Sequence, residues 1–140
     1  MYKYVITIFW ALNINFILLL GIFFIPIIRE FFKGGIVFLI PFVIFSLLGL
    51  VLIFAVLKSK TKGKLKNYLL LTGVSAAGIF IAIILHNFIY GLFIYMFGED
   101  FWGQPGDEGF FFIVAIFIFP LLFLIGSIKS FLIIIKTKKH

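Results

Sequence analysis

The chain has no cysteine. Disulfides, thiolate metal sites and thiol redox chemistry are therefore excluded, and quinone-coupled disulfide enzymes with them. Charge is scarce: Asp, Glu, Lys and Arg make up 12% of the residues, too few to coat a soluble domain. Acids are scarcer, with five in 140 residues, and none lies within a long apolar run. Proton- and sodium-coupled transporters usually place carboxylates there. The small multidrug exporters, for example, hold a glutamate in their first helix, where this chain has Asn13 and Asn15. Of the two histidines, His86 lies in an apolar run and His140 lies beyond the last one, which leaves a two-histidine haem without its second ligand. Neither H-E-x-x-H nor G-x-S-x-G occurs, which disfavours an intramembrane hydrolase. No cofactor is expected.

Apolar residues are abundant: 64% of the chain, with a mean hydropathy of +1.31. They come in runs long enough to cross a bilayer, which takes about 20 helical residues. The expected architecture is an all-α membrane protein, a four-transmembrane-helix bundle in a single transmembrane domain over residues 1–140. The helices are expected at about 4–28, 36–57, 68–97 and 110–135. The first run exceeds a signal-peptide core and lacks a small-residue cleavage site, so it reads as a retained helix. Pro41 falls in the second turn of the second helix. Pro120 falls inside the fourth, where a kink is expected because neighbouring helices can satisfy the freed carbonyl.

Charge suggests the orientation. Lys58, Lys60, Lys62, Lys64 and Lys66 crowd one loop, Lys136, Lys138 and Lys139 the tail, and Lys3 precedes the first run. Lys129 can snorkel toward the same side. Positive-inside counting puts both termini and the lysine loop in the cytoplasm of a cell (inner) membrane protein. Four crossings agree with two ends on one side. The lysines would also attract anionic lipid at Lys58–Lys66, while nothing in their context supports nucleic acid. Tyr2, Tyr4 and Tyr68 mark one interface, and Tyr95 and Trp102 the other.

The third run carries the most information. Its "TGVSAAG" holds two small-xxx-small pairs, Gly73 with Ala77 and Thr72 with Ala76, which let another backbone approach. At about 100° per residue, Thr72, Ser75, Ile79, Ala82, His86 and Tyr90 share one stripe, so His86 faces protein. His86, Asn87 and Tyr90 are then candidates for ligand binding or a polar path. The plainer alternative is a neutral imidazole bonded to a neighbouring helix. His86 lies about 26 Å beyond Leu69, near the outer interface, where burial costs little. In the first run, Asn13 and Asn15 point about 200° apart, so one partner helix cannot easily satisfy both. An unpartnered amide is costly in hydrocarbon, which suggests contact with a second subunit.

Four of the five acids, Glu99, Asp100, Asp107 and Glu108, sit in residues 98–109, "GEDFWGQPGDEG". Two carboxylate pairs could hold a hard cation, although the spacing matches no calcium loop. Each acid also has a structural explanation. Gly98 reads as a helix C-terminal glycine. Asp107 and Glu108 stand where carboxylates cap the next helix. Glu99 and Asp100 would lie in water beside Arg29 and Lys33.

Through "LLLTGVSAAGIFIAIILHNFIYGLF", "FGEDFW" and "GDEGFFFI", about half its length, the chain resembles small uncharacterised prokaryotic four-helix integral membrane proteins, a group with no assigned function. The resemblance implies the architecture and a prokaryotic origin, and no catalytic residues. The leading expectation is a non-enzymatic membrane protein that acts through helix–helix contacts, as the subunit of a partner membrane protein or by self-association. One rival is a small transporter or cation channel using the acidic outer loop and the His86/Tyr90 stripe. Another is a metal-dependent membrane enzyme using Asp107, Glu108 and His86.

Overall fold

A computed structural model describes residues 2–103 and 108–138, and these are helical apart from short turns. Among them, four helices are long and apolar enough to cross a membrane. The order is α1 (Tyr2–Phe24), α2 (Pro26–Phe31), α3 (Gly35–Lys58), α4 (Gly63–Phe97), α5 (Phe110–Ile113), a π-helical turn (Val114–Ile118) and α6 (Phe119–Lys138).

Two boundaries differ from the sequence expectation. The first helix does not run unbroken to Ile28. Proline disfavours helical geometry in the residue before it, and Ile25 is extended (φ −110°, ψ 109°) ahead of Pro26, which opens α2. The short helix folds back on α1, where a Cβ at Gly21 would meet Ile28 Cδ1 at 2.9 Å. The third helix starts at Gly63, five residues early, because lysines are good helix formers and nothing breaks the turn before Tyr68. Pro120 does disturb its helix, through a wider turn. It offers no N–H to the carbonyl of Ile116, and the π-helical turn just before α6 absorbs the mismatch.

The long helices pack in sequence: α1 on α3, α3 on α4, α4 on α6. Small residues set the close approaches. A Cβ on Gly49 would lie 2.8 Å from Gly73 O and Ala77 N, so α3 and α4 nearly touch backbones. A Cβ on Gly126 would lie 2.9 Å from Thr72 N, which brings α6 equally near α4. Bulk fills the opposite side. The α1 residues Val5, Phe9, Leu12, Phe16, Leu19 and Ile22 recur every three or four positions and are all buried. Phe16 meets Phe123 of α6 with ring centroids 4.5 Å apart, and Phe45 of α3 at 5.8 Å, closing the bundle at its centre. Outward faces remain apolar, for example Ile17 (67% exposed) and Phe54 (63%), as helices in lipid require.

Thr72, Gly73, Ser75, Ala76 and Ala77 are all buried. The two asparagines find partners within the chain. Asn15 donates to Pro41 O of α3 at 2.9 Å, and Asn13 donates to Phe9 O of its own helix at 2.8 Å. Each amide N–H therefore has an acceptor within the chain, one across to α3 and one four residues back along its own helix.

Candidate functional site

The stripe on α4 leads from the small-residue seam to the acidic end of the bundle. Thr72, Ser75 and Ala82 are buried, and His86 follows one turn later with its side chain 16% exposed. His86 Nδ1 donates to Glu108 Oε2 across 3.0 Å. Glu108 stands just before the start of α5, where the first N–H groups of a helix have no partner within it. Its Oε1 accepts from Phe110 N at 2.7 Å and from Phe111 N at 3.1 Å. One carboxylate thus caps the last of the four long apolar segments and ties it to α4.

Burial, which opposes ionisation, is the largest influence on the Glu108 carboxyl. The hydrogen bond from His86 and those from the Phe111 and Phe110 N–H groups outweigh it, and the pKa lies below the ordinary carboxylate value. The carboxylate form is therefore favoured despite a residue exposure of only 5%. Phe112 packs on the imidazole, with ring centroids 5.7 Å apart.

One turn beyond His86, Tyr90 stacks on Trp102 at 6.0 Å, and Trp102 Nε1 donates to Tyr90 O at 3.2 Å. Phe93, Phe97 and Phe101 extend this cluster. The connector after Gly98 (φ 94°) therefore folds back onto α4. His86 and Tyr90 come together on this closed face, but Asn87 does not. It is exposed and donates to Ile83 O at 2.9 Å.

The acids separate. Glu99 and Asp100 lie exposed in the turn, away from Glu108, and Asp107 lies outside the described residues. Among the described residues no three of His, Asp and Glu gather to hold a metal ion. Nor do Glu99 and Asp100 pair with Arg29 and Lys33. Lys33 bonds Glu30 at 3.0 Å. Arg29 turns back to donate to Ile22 O at 3.3 Å and also to Phe23 O, capping the C-terminus of α1. Sequence reasoning missed that cap, although a cation a few residues after a proline-broken helix end is its signal.

No family model matches the chain, and no curated protein or solved structure matches it.

Proposed function

We propose that this chain is a non-enzymatic, multi-pass protein of the cell membrane that works through contacts of its helix faces, as a subunit with a membrane partner or as a homo-oligomer. Both termini and the lysine-rich loop lie on the cytoplasmic side, and the His86–Glu108 end faces outward. The non-enzymatic part of this reading rests on how the polar side chains of the bundle are used, and the contact part on the apolar faces left outward. Glu108 with His86, Asn15 with Pro41, and Ser46 Oγ with Ala77 O at 3.3 Å all join one part of the chain to another. They act as internal fasteners, and the side chains turned outward are overwhelmingly apolar. Lipid covers such faces without a hydrophobic gain, so association between chains rests on shape and packing.

The test is extraction from the source membrane in native nanodiscs, followed by mass measurement and identification of stoichiometric components. A particle holding two or more copies, or one copy with a stoichiometric companion, is expected. A lone 16.0 kDa chain without a companion would overturn the proposal.

A further inference from the structure

The end of the bundle opposite Glu108 holds a crevice of about 870 Å³. Its rim is Lys60, Lys62 and Lys64, with the hydroxyl-bearing Thr61 and Thr137, and its walls include Leu65 and Ile133. Two elements build it: the loop leading into the first turns of α4, and the last turns of α6. Thr61 is buried, and its Oγ1 lies 2.7 Å from Ser59 Oγ, which fixes the loop between Lys60 and Lys62.

Among the described residues, no acid stands at this end of the bundle. The described acids, Glu30, Glu99, Asp100 and Glu108, lie in the connectors at the other end of the bundle. Among the described residues, none of the three lysines makes an ion pair. Three lysines lining one crevice favour an anion, and their ammonium groups suit phosphate oxygens. So does the Thr61 hydroxyl, which accepts from Ser59 and keeps its own proton to donate; Thr137 Oγ1 already donates to Ile133 O at 2.9 Å. The apolar wall selects further. Leu65 and Ile133 are half-buried, and Leu132 beside them is exposed on the face that meets lipid. A free phosphate ion would leave that wall unused, whereas a phospholipid would place its phosphate at the rim and its upper acyl chain along Leu65 and Ile133.

We infer that this crevice is a binding site for the phosphate group of an anionic phospholipid, seated between α4 and α6. The inference rests on the membrane placement proposed above and not on the oligomeric partner. Loss of lipid selectivity would leave the mass measurement untouched, and a lone chain could still bind lipid.

Native mass spectrometry of the full-length protein in detergent, with phosphatidylglycerol or phosphatidylcholine added, tests it. One phosphatidylglycerol retained in preference to phosphatidylcholine is expected. The triple variant Lys60→Gln, Lys62→Gln, Lys64→Gln should retain it about a hundredfold less. Removing the same charge elsewhere, in Lys3→Gln, Lys33→Gln, Lys129→Gln, should leave retention unchanged. Ile133→Trp, which fills the crevice without altering charge, should also weaken it, with thermal unfolding confirming that the variant is folded. Equal loss in both triple variants would overturn the site in favour of diffuse attraction, and full retention in Ile133→Trp would overturn the crevice as its location. Inorganic phosphate that raises the melting temperature through these lysines while phosphatidylglycerol does not would overturn the lipid assignment.

Discussion

A carboxylate as buried as Glu108 is costly to ionise unless donors surround it, and this one has the imidazole of His86 and two backbone N–H groups. Glu108→Gln keeps the shape and weakens every one of those bonds, so it should cost about 1–3 kcal/mol in thermal or denaturant unfolding. His86→Ala combined with Glu108→Gln should cost less than the sum of the two single changes, because the residues act on each other. The acid sensitivity has a definite sign. The folded-state pKa of Glu108 is lowered from 4.5, so its stabilisation is present above that value and is lost as pH falls through the lower folded value. The melting temperature of the wild type should therefore fall more steeply below pH 4.5 than that of Glu108→Gln. A parallel pair of profiles would show that Glu108 is not the titrating group. Each partner was readable alone, His86 from the helical period and Glu108 from capping chemistry. Their pairing was foreshadowed only in the metal-site alternative, because nothing local links residues 22 positions apart. The hydroxyl of Ser130 makes a different point. It is buried without a hydrogen bond, so Ser130→Ala should leave stability unchanged or raise it by up to about 1 kcal/mol.

Helix contacts divide into those that use small residues and those that use amides. Gly49 and Gly73 leave no room for a side chain between α3 and α4. Gly73→Leu should force the two helices apart and lower stability by about 1–3 kcal/mol or more, as read by thermal unfolding in detergent. Asn15→Leu removes a bond between α1 and α3 and should cost about 0.6–1.7 kcal/mol. Asn13→Leu removes only a bond within α1 and should cost less. The seam on α4 was visible in "TGVSAAG" because close packing needs small residues wherever the partner lies. The partner itself was less visible, since on α3 only Ser46 and Gly49, one turn apart among large residues, form the matching face. The break at Ile25 was readable from Pro26, a local steric effect, but the continuous apolar run obscured it. The acceptor of Asn15 was beyond sequence reasoning, because any nearby carbonyl would serve and only the fold selects Pro41.

At the scale of the whole molecule, charge and apolar surface are sorted along the bundle axis. The described acids occupy the connectors at one end, and Lys58 to Lys66 with Lys136 occupy the other. The apolar runs made the four long helices legible, because few other chains need so many uninterrupted nonpolar residues. The outward and inward assignment rests on the positive-inside rule, and the proposed lipid crevice takes its cytoplasmic placement from it. The absence of cysteine makes it directly testable, since any single cysteine introduced is the only reactive thiol. Asp100→Cys and Lys62→Cys variants in intact cells should be exposed to a membrane-impermeant maleimide. Labelling of the Asp100→Cys protein without permeabilisation, and of the Lys62→Cys protein only after it, is the expected result. Labelling of Lys62→Cys in intact cells, or of both variants from the same side, would contradict a bundle that crosses the membrane four times with its lysine-rich end inside.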